Sequence, residues 1–300
     1  MNQEATQKSA FVAIVGRPNV GKSSLLNAFV GEKVAIVTEK PQTTRTRITG
    51  VLTTGQTQLV FIDTPGIHRP KTKLSEYMVR QVRESVGDVD VAVLVTEPTG
   101  EIREAERELL ERFRQRRLPA ILAINKVDTL PRKDAMMEKI KAFSEQYDFD
   151  EIIPISALHG DGVDILLRRL HAYAVPGPHY FDEDSFTDQP ERVLVAEMVR
   201  EKLLRGMREE IPHGTAVVVE EMKERSGKEL MDITITIFCE RESHKGMIIG
   251  KKGVMLKKIA SEARRDIEDF LQIPVNLKCW VKVKEDWRNR EGLIRGFGFQ

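Results

Sequence analysis

Gly16-Arg17-Pro18-Asn19-Val20-Gly21-Lys22-Ser23, running on into Ser24-Leu25-Leu26-Asn27-Ala28-Phe29, decides the fold. The spacing is G-x-x-x-x-G-K-S. It directly follows the apolar run Phe11–Gly16 and opens a stretch in which Leu25, Leu26 and Phe29 recur at helical spacing. A strand, a glycine-bearing turn and a helix in that order make a phosphate-binding loop, or P-loop. Gly16 and Gly21 let the backbone curl until successive N–H groups and the helix N-terminus point at phosphate oxygens. Lys22 reaches the β- and γ-phosphates as a mobile cation, and the Ser23 hydroxyl suits Mg²⁺. Arg17, Pro18, Asn19, Val20 and Ser24 complete the loop.

Outward from this loop, short apolar runs alternate with charged helical stretches. The runs are Gln58–Asp63, Val91–Thr96, Ala120–Asn125 and Glu151–Ser156, and the helical stretches include Glu101–Gln115 and Lys133–Gln146. Runs apolar almost throughout are strands buried on both faces, so the alternation predicts an α/β domain with a mostly parallel sheet, right-handed crossovers and helices on both faces. Three tetrapeptide-scale signals sit at strand ends. Asp63-Thr64-Pro65-Gly66 places a carboxylate toward the Mg²⁺ site and the Gly66 N–H where a γ-phosphate would lie. In Asn125-Lys126-Val127-Asp128, Asp128 can accept from the ring N–H and the 2-amino group of guanine, which adenine cannot satisfy. Leaving such a carboxylate unpaired is expensive, so discrimination can reach the order of 10⁴. Ser156-Ala157-Leu158 suits a backbone contact to guanine O6. Together they point to GTP and GDP with Mg²⁺.

These motifs resemble the translation-factor-related GTPases, in the branch that includes the Era family and the tRNA-modification GTPase MnmE. The resemblance implies that Gln42-Thr43-Thr44-Arg45 is switch I, with Thr44 a second Mg²⁺ ligand when γ-phosphate is present and Thr43 an alternative to it. Bottom-up, the same stretch is a polar loop that reads as an exposed connector. Ile67 follows DTPG where Ras-like enzymes carry a water-positioning Gln, and an aliphatic side chain cannot orient water. The resemblance implies that Asn19 helps to hold a K⁺ beside the phosphates, supplying charge that an arginine finger supplies elsewhere. Lys22, Asn19, Thr44 and Gly66 are then the catalytic candidates, and intrinsic hydrolysis is expected to be slow, below about 1 s⁻¹.

The strand–helix pattern stops near Tyr173. Residues 176–190 carry three prolines and the acidic cluster Asp182-Glu183-Asp184, and read as an exposed linker between a nucleotide-binding domain (1–175) and a second domain (191–300). The second domain reads as α+β: a helix over 191–208, alternating strands over 215–222 and 232–238, a glycine-punctuated basic segment, a helix over 254–271 and a strand over 276–284. In the basic segment, Gly250-Lys251-Lys252-Gly253 follows Ile248 and Ile249. This GxxG resembles that of KH domains, in an order like the type II arrangement, whose turn clamps about four nucleotides of single-stranded nucleic acid. Lys245, Ile249, Gly250, Lys251, Lys252, Gly253 and Lys257 are the RNA-contact candidates. Trp280 and Trp287 read as strand residues, packed in the core or an interface in preference to stacking on bases.

Charge agrees with this division. The 300 residues hold 47 Lys and Arg against 46 Asp and Glu, but residues 241–300 hold 14 against 8, leaving 33 against 38 in the rest. A basic end suits a polyanion. No apolar run approaches the roughly 18 residues that span a bilayer, and the polar start lacks the pattern of a secretory signal. Cys239 and Cys279 lie in apolar runs as buried thiols of a reducing compartment, and no metal-ligand spacing occurs. These features predict a cytoplasmic GTP-dependent switch whose output domain binds single-stranded RNA. The resemblance, which covers nearly the whole chain, further implies binding of the 3′ end of 16S rRNA, a role in assembly of the small (30S) ribosomal subunit, a monomer and peripheral contact with the cell membrane. Two alternatives are a GTPase gating RNA (tRNA) modification and a membrane- or stress-associated regulatory GTPase.

Overall fold

Strand β1 (Lys8–Gly16) sends Ala10, Val12 and Ile14 into one buried cluster and Ala13 and Val15 into another. Both faces of the strand are therefore dry, which is why its sequence shows no polar alternation. The computed structural model describes residues 6–40, 43–66, 72–132, 134–207 and 211–299. In the first unit, β1 is followed by α1 (Lys22–Val30), β2 (Ile48–Thr54), β3 (Thr57–Asp63), α2 (Lys73–Ser85), β4 (Val91–Thr96), α3 (Glu104–Arg116), β5 (Ala120–Ile124), α4 (Ala135–Ser144), β6 (Glu151–Pro154), α5 (Val163–His171) and the short β7 (Val175–Pro176). The sheet runs β2-β3-β1-β4-β5-β6, parallel except where β2 pairs β3 and β7 pairs the start of β1. Leu25, Leu26 and Phe29 of α1 and Leu166 and Leu170 of α5 fill one face; Leu109, Leu110 and Phe113 of α3 and Phe143 of α4 fill the other.

Strand β2 was not expected. Its sequence, ITGVLTT, carries three threonines and a glycine, and antiparallel pairing with β3 is what makes it a strand. The stretch expected as an exposed linker departs further. Residues 176–187 are strapped along the first unit: Ser9 Oγ donates to Pro178 O at 2.7 Å, and Thr187 Oγ1 donates to Thr49 O at 2.7 Å. Val51 N donates to Phe186 O at 3.0 Å. The fully buried Gln58 amide donates to Phe181 O at 3.0 Å and accepts from Tyr180 N at 2.8 Å and Phe181 N at 3.1 Å. Proline and acidic residues marked the strap as irregular, but its backbone at Pro178, Tyr180, Phe181 and Phe186 bonds to β1, β2 and the Gln58 side chain of β3. The first unit accordingly extends to Asp188, with Thr38–Thr43 and Lys71–Glu76 grouped instead with the second.

The second unit contains α6 (Glu191–Gly206), β8 (Ala216–Glu224), β9 (Met231–Cys239), α7 (Glu242–Ile249), α8 (Val254–Leu271), β10 (Val275–Val283) and α9 (Glu291–Gly296). Its sheet runs β10-β9-β8, with β9 and β10 parallel and β8 and β9 antiparallel. Val195, Val199 and Leu203 of α6 and Ile259, Ala263 and Ile267 of α8 bury the face carrying Ile233, Ile235 and Ile237. Three readings are corrected here. The basic segment before GxxG is a helix, α7, hidden from periodicity because it is short and buries only Ile248. Trp287 lies not in a strand but in a 3₁₀ turn, fully buried, its Nε1 donating to Gly214 O at 2.9 Å. Trp280 is on a strand but exposed rather than packed in the core. Among the described residues no helix is long and apolar enough to cross a membrane.

Gln58→Leu removes the amide that satisfies the strap's buried backbone. We expect a loss of about 1–3 kcal/mol in stability, with faster hydrogen exchange confined to residues 178–187 and their partners in β2 and β3. Unchanged exchange there would show that the strap is held by its aromatic side chains instead.

Candidate functional site

Every candidate nucleotide residue that the structure describes, switch I apart, lies at or just beyond the carboxyl end of a parallel strand: the P-loop after β1, Asp63 at the end of β3, Asn125 after β5 and Ser156 after β6. That end is where open α/β sheets bind ligands. The P-loop is constrained on both sides. A Cβ on Gly16 would lie 2.3 Å from Val95 O, and one on Gly21 would lie 2.1 Å from Asn125 Nδ2; both backbones have positive φ. Asn19 also adopts the left-handed conformation, at φ 66°.

Lys22 is buried and curls back over the loop, its Nζ donating to Arg17 O at 2.9 Å and Gly16 O at 3.2 Å. Burial lowers its ammonium to about 8, against the opposing pull of Asp63. Beneath it three hydroxyl or carboxylate groups from three segments converge. Ser23 Oγ donates to Asp63 Oδ2 at 2.7 Å, Thr44 Oγ1 to the same oxygen at 3.3 Å, and the two hydroxyls are 2.8 Å apart. Asp63 is fully buried, and burial pushes its carboxyl up more strongly than Lys22, Ser23, Thr44 and the Thr64 backbone hold it down. Its Oδ1 has no hydrogen-bond partner among the described residues. A buried carboxylate oxygen left unpaired, beside two hydroxyls, is a hard-oxygen donor set that fits Mg²⁺.

The switch I expectation is resolved in part. Thr44, not Thr43, reaches this cluster. The Thr43 hydroxyl is taken by Thr38 Oγ1 at 2.7 Å and Lys40 O at 2.7 Å. Thr44 and Arg45 are buried, so this end of the loop is not the exposed connector its polarity suggested. Gln42 and Ile67 lie outside the described residues. Thr64 turns inward, donating to Ile14 O at 3.1 Å, and thereby fixes the strand end. A Cβ on Gly66 would stand 2.6 Å from Pro18 Cα, so only glycine lets DTPG close on the P-loop.

In the loops expected to meet the base, Asn125 acts as a brace. Its Nδ2 donates to Val20 O at 2.7 Å and its Oδ1 accepts from Ala157 N at 2.9 Å, tying three loops together. That engages the Ala157 N–H within the protein. Lys126, at φ 66°, donates to Glu97 Oε1 at 2.6 Å. Asp128 Oδ1 accepts from Ser156 Oγ at 2.6 Å, and this bond, more than His159 or Lys126, holds its carboxyl below the usual range. Leu158 is 79% exposed beside it. Sequence reading missed Glu97 and Glu106. The fully buried Glu106 accepts from Arg17 Nε at 3.1 Å and from Arg103 N at 2.9 Å, locking the P-loop to the start of α3. No motif marks it; a lone glutamate on a charged helix has no distinguishing signal.

The second candidate site is the turn between α7 and α8. Gly250 has φ 73° and a Cβ there would lie 2.7 Å from Met255 Cβ; Gly253 has φ 77°. Between them Lys251 and Lys252 are exposed, Lys252 in the left-handed region at φ 53°. Lys257 is exposed on the first turns of α8, Lys245 and Ile249 are half-buried on α7, and Met247 and Val254 are exposed apolar neighbours. The turn therefore offers two lysines, a close-approach backbone and apolar flanks, which suits a nucleic-acid strand. Lys258 and Arg264 instead form exposed ion pairs with Glu262 and Glu268 of their own helix.

Two family models match the chain: "50S ribosome-binding GTPase" over residues 11–126 and "KH domain" over residues 210–288. GTPase Era of Clostridioides difficile is 50% identical over 97% of this chain and 98% of its own length. GTPase Era of Caldanaerobacter subterraneus is 47% identical over 97% and 98%. Among solved structures, a point variant of Aquifex aeolicus Era bound to GDP and tetrafluoroaluminate superposes with a TM-score of 0.93 at 39% identity, covering 98% of this chain and 99% of that one. Era in complex with MgGDPNP and nucleotides 1506-1542 of 16S ribosomal RNA superposes with a TM-score of 0.94 at the same identity and coverage. Identity of this extent across both units, with the P-loop and the GxxG turn in one chain, places the protein in the GTPase Era family.

Proposed function

We propose that this GTPase couples binding and hydrolysis of GTP on Mg²⁺ to capture of the 3′ end of 16S rRNA by its GxxG turn, and so acts in assembly of the small (30S) ribosomal subunit. The observation that carries the reading is the convergence of Ser23, Thr44 and Asp63 within 3.3 Å of one another in a chain that also presents GxxG between two helices. It is supported by the relative solved with MgGDPNP and 16S rRNA nucleotides. Family resemblance supports a cytoplasmic monomer with peripheral contact at the membrane's inner face.

In this reading Lys22 leaves the Gly16 and Arg17 carbonyls for the β- and γ-phosphate oxygens, and the P-loop N–H groups meet the α- and β-phosphates. Ser23 and Thr44 ligate Mg²⁺, with Asp63 holding it through water. When bound, Mg²⁺ neutralises charge on the β- and γ-phosphates. Thr44 and the Gly66 N–H sense the γ-phosphate, so its loss frees switch I. Asp128 accepts from guanine while Ser156 keeps its carboxylate oriented, and Leu158 covers the base. Asn19 would offer its side-chain oxygen to a K⁺, which would supply beside the phosphates the positive charge that an arginine finger supplies elsewhere.

Three measurements test these roles. Asp128→Asn is expected to weaken GTP binding by two or more orders of magnitude and to prefer xanthosine triphosphate; unchanged guanine preference removes Asp128 from base recognition. Turnover in matched K⁺ and Na⁺ buffers should differ several-fold in favour of K⁺, and Asn19→Ala should erase that difference; equal rates in the wild type sink the K⁺ assignment. Lys251→Asp with Lys252→Asp, both exposed, should abolish binding of 16S rRNA 3′-end oligonucleotides while unassisted GTP hydrolysis persists. Retained RNA affinity would place the RNA site elsewhere.

A further inference from the structure

Strand β10 has two unlike faces. Leu277, Cys279, Val281 and Val283 pack into the core of the second unit, whereas the residues that alternate with them, Lys278, Trp280 and Lys282, are exposed. Trp280 is 61% exposed. A tryptophan standing in water leaves unburied a large flat apolar surface, with a ring face free to stack. Register sets Lys278, Trp280 and Lys282 opposite Thr234, Thr236 and Phe238 of β9, so the face carries no carboxylate at these positions. At one end of this face Asp232 accepts from Arg225 at 2.5 Å and Asn276 at 2.6 Å, and Lys278 acts on the same carboxylate only as a more distant charge. Among the described residues neither Lys278 nor Lys282 forms an ion pair, unlike Lys258 and Arg264 on α8.

The location narrows the partner. β10 is the edge of its sheet, and α7 and α8, the helices flanking GxxG, pack against its core face, so a strand leaving the turn meets Trp280 by rounding that open edge. A GxxG turn clamps about four nucleotides, while the relative's complex holds nucleotides 1506-1542. An exposed aromatic between two lysines is the arrangement that single-stranded nucleic acid uses: bases stack on the ring and the cations track the phosphates.

Building on the function proposed above, we propose that the outer face of β10 is a second RNA contact, where a base of the single strand leaving the GxxG turn stacks on Trp280 and its phosphates lie against Lys278 and Lys282. The stack makes affinity depend on RNA length. Strands short enough to be held by GxxG alone do not feel Trp280, and longer ones do.

The full chain, loaded with a GTP analogue, would be titrated with nested oligoribonucleotides of about 4 to 20 nucleotides from the 3′ end of 16S rRNA. Trp280→Ala should weaken the longer strands by about 5- to 150-fold, the range seen for one base–aromatic stack, and leave the shortest binding strand within twofold. Trp280→Phe should recover most of the loss. Because Trp287 is fully buried, quenching of tryptophan emission on binding the longer strands reports Trp280 and should vanish in both variants. Lys278→Gln with Lys282→Gln should lower the salt slope of log affinity by about 1.4, or 0.7 for each phosphate that is no longer neutralised. Equal affinity of wild type and Trp280→Ala at every length, without quenching, would overturn the proposal and leave this face to a protein partner. If the wild type binds none of the strands, the rRNA reading itself fails instead.

Discussion

The Asn125 carboxamide is the constraint on which the nucleotide site depends. It joins Val20 of the P-loop to Ala157 after β6, at 2.7 and 2.9 Å, from a position at the end of β5. Its Nδ2 stands where a Cβ of residue 21 would be, which makes Gly21 obligatory for a second reason besides the turn it takes. The P-loop and the loops after β5 and β6 are thus held at one spacing by the protein's own hydrogen bonds. A site ordered in advance spends less of its binding free energy on ordering itself.

The burial that comes with this arrangement is costly. Lys22 and Asp63 are both buried, and each is driven toward its neutral form by burial more than it is held charged by the other. Between the ordinary lysine value of 10.5 and its buried value of about 8, the unfolded chain holds a proton that the folded one has released. Stability therefore rises with pH across that window, and at neutral pH the buried ammonium weighs against the fold. A polyphosphate beside Lys22 and a divalent cation beside Asp63 would oppose both penalties at once, and on the function proposed above ligand affinity and fold stability draw on the same two side chains. The Arg17–Glu106 pair does different work: a fully buried carboxylate fixes the loop's orientation on α3, and such pairs supply position more readily than stability.

Legibility in the sequence followed how local each signal is. The P-loop, DTPG and the loops at Asn125 and Ser156 were readable because strand, turn and helix lie within a dozen residues and the chemistry fixes the residue types. Val91–Thr96 and Val254–Leu271 were placed to the residue, since one is wholly apolar and the other strongly periodic. β2 was missed because its strand character comes from pairing with β3, and α7 because eight residues with one buried side chain carry no period. The strap over 176–187 looked like a linker because proline and acid mark irregular backbone but cannot say whether that backbone bonds to water or to a sheet. Glu97 and Glu106 were invisible for the same reason: their partners Lys126 and Arg17 are distant in sequence and close only in the fold.

A formal charge of +1 conceals how the chain separates its ligands. The nucleotide site needs few cations, because backbone N–H groups, a helix terminus and a metal carry most of the phosphate charge. The acidic cluster Asp182-Glu183-Asp184, exposed on the strap, adds to the negative balance of the first unit without disturbing that site. In the second unit many surface cations are cancelled: Lys258 and Arg264 by glutamates one helical turn away, Arg225 by Asp232. Lys251 and Lys252 in the GxxG turn, Lys257 on α8 and Lys282 on β10 are among the exposed lysines that form no ion pair among the described residues. Attraction for a polyanion depends on such local surplus and not on the total.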